Sequence, residues 1–412
     1  MNSAGKLLYF SFMAILAVMT CLLCTGEARR IQSANQRSGD NSDEAYERYA
    51  KALLSLPTDL TAAFHSSSPP VGNPQRAASR QNPFLRMAAA EAVDTGKRSF
   101  TPLPRQHETW SWRGHTIRHR IEGPADGQPV LFIHGFGASV SHFRDNIPAL
   151  ADAGYRVHAI DLLGFGGSDK PALAEEPFDG PVRGDGYCME LWGNQTVDYV
   201  RAFSAPGESW VLAGNSIGGL TSMMAANALG PAAVRAVCLL NTAGGMNVNR
   251  YSDLPWLLRP FIWVFRNVLL DPKGNGPSYF ENFRTEENVR SVFKQVYPRF
   301  PERADDALIE SILWPAEDPN AADVFLKIFR GPAGPTPESQ LTLLQVPVLG
   351  LWGDSDPWTP MDKGRSPNAE QFGKYCKSWR LQPLPGIGHC PHDEAPELVN
   401  EALLSWLAEL EA

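Results

Sequence analysis

Short apolar runs alternate with longer amphipathic segments from about residue 109 to the end of the chain. The apolar runs end in glycine or in polar residues, and they read PVLFIHGFG, YRVHAIDLLGFG, WVLAGNS, VRAVCLLNTAG, VPVLGLWGD and, as a weaker example, SWRLQPLPGIGH. The segments of helical length between and after them are HFRDNIPALADAG, ELWGNQTVDYVRAF, GGLTSMMAANALG and APELVNEALLSWLAELE. Strands that alternate with helices predict an α/β protein with a mostly parallel sheet covered on both faces.

Two segments depart from this alternation. Residues 109–123 read TWSWRGHTIRHRIEG, and the tight turn at Arg113-Gly114 predicts an antiparallel hairpin. Residues 245–345 are rich in Trp, Phe, Leu and Pro and predict several helices inserted between two sheet strands as a cap. We therefore expect a core formed by residues 106–244 and 346–412, with the cap between its two parts.

The first 105 residues are typical of a targeting segment, called the address below, rather than of a folded domain. Residues 7–24 carry no charge, and small residues follow them, which is typical of a signal peptide within residues 1–28. An uncleaved signal anchor is the alternative, because the run is between the usual lengths of a signal core and of a membrane span. Residues 29–105 lack hydrophobic periodicity.

The second part of this address resembles a transit peptide. Residues 60–90 contain no Asp or Glu but carry Arg76, Arg80 and Arg86 among Ser, Ala and Pro. A signal-like segment followed by a transit-like segment predicts a plastid protein with a two-part address. The alternative is a protein that is secreted, or anchored in a membrane through residues 7–24.

Charge and cysteine content narrow the class of protein. The 412 residues include 37 Lys and Arg against 45 Asp and Glu, a net charge of −8, which argues against a general nucleic-acid binder. Six cysteines in a chain of this size do not make a disulfide scaffold. We expect Cys188, Cys238, Cys376 and Cys390 to be free thiols. The sequence leaves the oligomeric state open.

The strongest chemical signal is Gly214-Asn215-Ser216-Ile217-Gly218. It follows an apolar strand and precedes a helical segment, which is the context of the G-x-S-x-G nucleophile elbow. The turn is so tight that a side chain at 214 or 218 would collide with neighbouring backbone. We expect it to lift the hydroxyl of Ser216 off the end of the sheet, at a helix N-terminus that favours negative charge.

A serine hydroxyl needs a base, and the base needs an acid to orient it. His389 follows the last predicted strand, and the order serine, acid, histidine is that of α/β hydrolases. The acid is expected at the end of the strand before it, where the third residue after Gly353 is Asp356. Asp354 is the alternative.

The oxyanion of the transition state needs backbone donors. We expect them to be the amides of Ile217, next to the nucleophile, and of Phe136, in the loop after the first parallel strand. His134, in the same loop, is expected to organise the loop rather than to react.

Other chemistry is not favoured. The glycine runs at 135–137 and 164–167 lack the third glycine of a dinucleotide fingerprint. His389, Cys390 and His392 imitate part of a metal site, but no second Cys/His pair lies at ligand spacing. We therefore expect neither a cofactor nor a metal ion.

These motifs resemble the α/β-hydrolase superfamily, in its haloalkane-dehalogenase-like, cap-bearing branch. HGFGAS, DLLGFGGSDKP, GNSIGG, WGDSDPW and GHCPHDE follow one another in the order of that family. Within the branch, GHCPHDEAPELVN, ELWGNQ and RPFIWVFRNVLL are most similar to plastid hydrolases of plants and cyanobacteria, the pheophytinase and chlorophyll-dephytylase group and its uncharacterised relatives.

The resemblance implies the same roles for Ser216, Asp356 and His389, with the amides of Phe136 and Ile217 as oxyanion donors. It also contains one departure. Dehalogenases and epoxide hydrolases carry an Asp at the elbow, whereas this chain has Ser216, which forms an acyl-enzyme from an ester. The likeness to plastid enzymes further favours the plastid address.

Aromatic residues crowd the predicted cap. Trp256, Phe261, Trp263, Phe265, Phe280, Phe283, Trp314, Phe325 and Phe329 either pack between the cap and the sheet or line an apolar entrance. An apolar entrance suits a small-molecule hydrophobic ester, and a phytyl ester of a chlorophyll-type pigment is one such ester. We also expect the protein to associate with a membrane surface. The alternatives are an acyl-lipid esterase, an acyl transferase of the same fold, and a non-catalytic binding protein.

Overall fold

The computed structural model of the chain describes residues 108–178, 180–244, 259–362 and 368–411. The predicted address segments, at 1–28 and 29–105, lie outside these residues. So do residues 245–258, the first part of the predicted cap.

One sheet of eight strands is present in the described part of the chain, in the order β1-β2-β4-β3-β5-β6-β7-β8. Its strands are β1 Glu108–Trp112, β2 His115–Glu122, β3 Pro129–Ile133, β4 Arg156–Ile160, β5 Trp210–Asn215, β6 Val234–Leu240, β7 Val348–Gly353 and β8 Trp379–Leu384. Strands β1 and β2 pair antiparallel, and β2 pairs antiparallel with β4, whereas β3 to β8 run parallel. The predicted mostly parallel sheet is thus confirmed.

The helices follow the predicted alternation. In chain order they are α1 Asn146–Asp152, α2 Met189–Phe203, α3 Ile217–Leu229, α4 Arg259–Val264, α5 Gly276–Phe283, α6 Glu286–Val296, α7 Asp306–Leu313, α8 Ala321–Arg330, α9 Pro337–Leu341, α10 Pro391–Glu394 and α11 Pro396–Glu411. A π-helical turn, Phe265–Leu269, continues α4, and short 3-10 helices lie at Val140–Phe143, Pro301–Arg303, Trp314–Glu317 and Ala369–Lys374. Helices α4 to α9 lie between β6 and β7 in the chain and are called the inserted helices below.

The predicted hairpin is present, and its turn has the expected backbone. Trp112 pairs with His115 across a two-residue loop in which Arg113 and Gly114 have φ values of 52° and 81°. Positive φ at both loop residues is the backbone of a type I′ turn, whose twist matches that of the strands it joins.

The parallel strands are buried on both faces, which explains their continuous apolar runs. In β3, Val130 and Phe132 pack in one core cluster together with residues of α1 and α11. Leu131 and Ile133 pack in another, with residues of α2 and α3. Because successive side chains of a strand point to opposite faces, a strand covered twice must be apolar at every position.

The cysteines of the described part of the chain form no disulfide bonds. The four cysteines of the described part of the chain, Cys188, Cys238, Cys376 and Cys390, are free, as predicted, and all four are buried.

Across the described ranges, no helix combines the length and the apolar character that a bilayer crossing requires.

Candidate active site

Ser216 stands in a strained turn between β5 and α3. Its φ of 54° and ψ of −120° lie in a region that non-glycine residues rarely adopt. A Cβ at Gly214 would overlap the carbonyl of Gly218, and a Cβ at Gly218 would overlap the carbonyl of Ile133. The predicted requirement for two glycines is therefore confirmed, and its cause is contact with backbone on both sides of the turn.

Backbone hydrogen bonds to the end of β6 and to the chain that follows it hold this turn in place. The amide of Ser216 donates to the carbonyl of Leu240 at 3.0 Å, and the amide of Ala243 donates to the carbonyl of Ser216 at 3.0 Å. A strained backbone conformation persists only when the surrounding structure holds it in place, and these two hydrogen bonds contribute to that restraint. Ser216 is buried, with 8% of the residue exposed.

The two predicted oxyanion donors belong to the segments on either side of Ser216. Ile217 is the first residue of α3, where a backbone N–H has no partner within its helix. Phe136 follows Gly135, and a Cβ at Gly135 would lie 2.9 Å from Asn215 Oδ1 and 3.1 Å from Ser216 Cβ. The loop after β3 therefore lies directly against the turn that carries Ser216.

His134 fastens this loop to the end of β4. Its Nε2 accepts a hydrogen bond from the amide of Leu162 at 3.0 Å, so the ring proton is on Nδ1, which donates to the carbonyl of Gly135 at 2.7 Å. Complete burial lowers the pKa of His134, which favours this neutral form. These contacts agree with the predicted organising role.

Asp356 and His389 meet at the carboxyl ends of β7 and β8. His389 Nδ1 lies 2.7 Å from Asp356 Oδ2, and both side chains are almost fully buried. Burial by itself would raise the pKa of Asp356, but the neighbouring His389 and several hydrogen bonds outweigh it and hold the pKa below its ordinary value. The carboxylate is therefore ionised next to the imidazole.

The alternative carboxylate, Asp354, has a different environment. It is exposed, and its Oδ1 accepts hydrogen bonds from the amide of Gly386 at 2.8 Å and from the Ser355 hydroxyl at 3.0 Å. Asp354 thus caps the turn after β8, whereas Asp356, two residues further along the chain, faces the imidazole of His389.

Asn215 connects the elbow to the histidine loop. Its side-chain amide donates to the carbonyl of His389 at 2.9 Å and to the carbonyl of Leu240 at 3.1 Å. In the described part of the chain, no hydrogen bond joins the Ser216 hydroxyl directly to the His389 ring. Catalytic hydrogen bonds are often long in unliganded enzymes and tighten when substrate binds.

The inserted helices support the loop that carries His389. The amide of His389 donates to the carbonyl of Val296 at the end of α6, at 3.2 Å. Glu394 accepts from the amide of Gly388 at 2.6 Å and, with its other oxygen, from the amide of Arg299 at 2.8 Å. The amides of Gly388 and His389 are thus held by α10 and by α6, and Glu394 connects α10 to the segment after α6.

A buried polar cluster continues this support beneath the site. Asp393 pairs with Arg144 at 2.7 Å and accepts from the Tyr297 hydroxyl at 2.9 Å, and that hydroxyl lies 2.9 Å from His142 Nε2. Burial lowers the pKa of His142 to about 3 and lowers that of His392 well below its ordinary value. Across the described ranges, no three His, Cys, Asp or Glu side chains are arranged to hold a metal ion.

Two residues of this site lie outside the motifs. Asn241 Nδ2 donates to Asp356 Oδ2 at 2.7 Å, and the Thr359 hydroxyl donates to the same oxygen. Asn241 is the first polar residue after the apolar strand β6, at the edge of the sheet where sites form in α/β proteins. That position is the sequence signal that could have identified it, and Thr359 has no comparable signal.

A small apolar cavity adjoins the site through Phe136. It measures about 100 Å³, and its walls include Phe136, Phe280, Phe283 and Phe325. The rings of Phe325 and Phe329 lie 6.2 Å and 5.3 Å from that of Phe136. A more open cleft of about 560 Å³ has charged walls that include Lys170, Glu317 and Asp318, and the described residues lining it include neither Ser216 nor His389.

The other aromatic residues of the predicted cap lie in different environments: the core, the charged cleft and the exposed surface. Phe265 is buried, Trp314 lines the charged cleft, and Trp263 is 58% exposed. Trp256 and the side chain of Phe261 lie outside the described residues.

Comparison with known proteins identifies the family. Residues 130–402 match the model of the alpha/beta hydrolase family, so the chain belongs to that family and has its fold. The crystal structure of a serine hydrolase involved in carbazole degradation, the CarC enzyme, matches with a TM-score of 0.53 and 26% identity, covering 72% of this chain and 95% of that one.

Two relatives locate the chain within the family. The chloroplastic pheophytinase of Arabidopsis thaliana is 30% identical over 331 residues, which cover 70% of this chain and 62% of the plant protein. A haloalkane dehalogenase of Mycobacterium marinum is 53% identical over 58 residues, 14% of this chain and 20% of that enzyme. The match spans less than two thirds of the length of either relative. The resemblance to the dehalogenase-like branch and the pheophytinase group is confirmed.

Replacement of Gly218 by alanine tests the packing of the elbow. The new Cβ would overlap the Ile133 carbonyl, so we expect the free energy of unfolding to fall by about 3 kcal/mol, the upper part of the range for overpacking. Gly193→Ala is the matched control, because a Cβ there meets Met224 at an ordinary 3.4 Å within α2, and its change should stay within about 1 kcal/mol. Equal denaturation midpoints for the two variants would contradict this reading of the turn.

Proposed function

We propose that the protein is a serine hydrolase that cleaves a hydrophobic carboxylic ester through an acyl-enzyme. The observation that carries the proposal is the buried Asp356–His389 pair, which Asn215 connects by a hydrogen bond to the strained turn that contains Ser216. A serine hydroxyl, a base oriented by a carboxylate and nearby backbone amides are the parts that acyl transfer requires.

In the proposed first half-reaction, Ser216 Oγ attacks the ester carbonyl while His389 accepts the hydroxyl proton. Asp356 keeps the Nδ1–H of His389 directed towards itself, so that Nε2 is free to act, and stabilises the imidazolium that forms. The amides of Phe136 and Ile217 stabilise the oxyanion, each typically lowering the barrier by about 3 kcal/mol. His389 then gives the proton to the leaving alcohol, and the acyl group stays on Ser216.

In the second half-reaction His389 takes a proton from a water molecule, which attacks the acyl-enzyme. Collapse of this intermediate releases the carboxylic acid and returns the proton to Ser216. The same groups therefore act twice, and the chemistry requires no group beyond the protein and water.

The substrate class follows from the surroundings of Phe136. This residue carries one proposed oxyanion amide, and its ring belongs to the aromatic wall of the small cavity. Apolar walls close to the reacting carbonyl suit an acyl or alkyl chain rather than a charged substrate. Similarity to a pheophytinase supports a phytyl ester of a chlorophyll-type pigment as the substrate.

A fluorophosphonate probe tests the nucleophile. The folded protein should be labelled, and Ser216→Ala should abolish the labelling, because the probe reacts with activated serine hydroxyls. Asp356→Asn should lower kcat for a short nitrophenyl ester by about 10³–10⁴-fold, whereas Asp354→Asn, its matched control, should leave kcat unchanged. Undiminished labelling of the Ser216→Ala variant would refute the proposal.

Incubation with pheophytin, chlorophyll and a galactolipid, followed by identification of the products, tests the substrate class. We expect release of phytol from a pigment ester by the unmodified protein and none from the Ser216→Ala variant. Fatty acid released from galactolipid alone would instead identify an acyl-lipid esterase. Turnover restricted to short soluble esters would contradict a role for the apolar wall.

We further propose that the protein is directed to a plastid by residues 1–105. The uncharged run at 7–24 and the acid-poor, arginine-bearing segment at 60–90 support a two-part address, and the similar plant enzyme is chloroplastic. A fluorescent reporter fused behind residues 1–105 should accumulate in plastids of a host with secondary plastids. Deletion of residues 29–105 from the fusion should leave the reporter in the secretory pathway, and secretion of the complete fusion would overturn the proposal.

A further inference from the structure

We infer that Thr359 is a positioning residue for the Asp356–His389 pair: its hydroxyl fixes the carboxylate that orients the imidazole. The inference deepens the proposed function and rests on it. Thr359 lies in the loop after β7, three residues beyond Asp356, and it is not part of the G-x-S-x-G motif or of the histidine motif.

The Asp356 carboxylate is surrounded by donors on both of its oxygens. Oδ1 accepts from the backbone amides of Trp358 at 2.7 Å and Thr359 at 3.1 Å. Oδ2 accepts from His389 Nδ1 and from Asn241 Nδ2, each at 2.7 Å, and from the Thr359 hydroxyl. With 3% of the residue exposed, these bonds replace the water that would otherwise solvate the charge.

The Thr359 hydroxyl contacts both members of the pair. Besides its bond to Asp356 Oδ2, its Oγ1 lies 3.4 Å from His389 Nδ1 and 3.3 Å from the carbonyl of Asn241. A hydroxyl has one hydrogen, and the ionised carboxylate is a stronger acceptor than the Asn241 carbonyl, so that hydrogen goes to Oδ2. The lone pairs of Oγ1 then remain available to the Nδ1–H, so one hydroxyl restrains the carboxylate and limits the swing of the imidazole.

Besides His389, two side chains donate to Oδ2, and of these Thr359 is the one that can be changed without disturbing the sheet. Asn241 also exchanges hydrogen bonds with the amide and carbonyl of Gly353, at 2.8 Å and 3.2 Å, and its own φ is 43°. A change at Asn241 would therefore disturb the packing of β6 against β7. The Thr359 side chain is half-buried, and its hydrogen bonds go to the site alone among the described residues.

Loss of the Thr359 hydroxyl should change the pH dependence of activity, because this hydroxyl donates to the Asp356 carboxylate. Hydrogen bonds from Thr359 favour the ionised form of Asp356, so their removal raises the pKa of this carboxyl. His389 faces the carboxylate directly, and the buried thiol of Cys390 lies within reach of its charge. Asp356 and His389 titrate as a coupled pair, and a carboxylate that has lost a donor holds the proton of the pair more tightly. The acid limb of activity should therefore lie at a higher pH than in the unmodified protein.

The test compares Thr359→Val, which keeps the shape and loses the hydroxyl, with Thr359→Ser, which restores the hydroxyl. Thr342→Val, at the exposed end of α9, is the matched control for a threonine-to-valine change. We expect Thr359→Val to lower kcat about ten-fold for a short nitrophenyl ester, the loss typical of one hydrogen bond to a charged group. KM should stay unchanged, and the acid limb of the pH profile of kcat/KM should move to higher pH.

The serine variant and the control distinguish positioning from general damage. Thr359→Ser should recover most of kcat and the original acid limb, and Thr342→Val should alter neither. If Thr359→Val fails to fold, Thr359→Ala takes its place in the comparison with Thr359→Ser. A folded variant without the hydroxyl that keeps full kcat and an unmoved acid limb overturns the inference.

Parallel assays of Ser216→Ala separate this inference from the proposed function. An inactive Ser216→Ala variant together with an unaffected Thr359→Val variant refutes the positioning role and leaves the serine mechanism intact. An active Ser216→Ala variant refutes the serine mechanism itself.

Discussion

The close approach of three backbone segments at the elbow is the constraint on which the site depends. The end of β5 and the start of α3 must pass each other and the end of β3 at distances that leave no room for a Cβ at Gly214 or Gly218. Ser216 lies in that turn, with its amide bonded to the carbonyl of Leu240 at the end of β6 and its neighbour Ile217 at the start of a helix. The positive φ of Ser216 is the local cost of that arrangement.

The acid and the base depend on a different kind of contact. His389 and Asp356 belong to loops after adjacent parallel strands, so the sheet brings them to one edge, but hydrogen bonds from elsewhere fix their orientation. Val296 and Arg299 come from the inserted helices and the segment after α6, and Asn241 comes from the end of β6. The insertion therefore stabilises the histidine loop.

Phe136 joins the chemistry of the site to its apolar cavity. Its amide lies in the loop packed against Ser216, while its ring meets Phe165 of the core and Phe325 and Phe329 of α8. A hydrophobic chain held by these rings would have its carbonyl beside the elbow. In the proposed acyl transfer, the same short loop would connect the binding of the substrate with the stabilisation of the developing charge.

The parallel strands, the hairpin and the tight turn at Ser216 could be predicted from the sequence, because they follow from local patterns. Continuous apolar runs identify strands buried on both faces, and glycines around Ser216 identify a turn without space for side chains. Features that depend on contacts between segments far apart in the chain could be seen only in the folded protein. These include the strand order, the donors Asn241 and Thr359 on Asp356, and the division of the aromatics between the cavity wall and an exposed surface such as that of Trp263. A hydrogen bond between residues more than a hundred positions apart leaves no periodicity in the sequence, since it depends on where the folded chain brings each side chain.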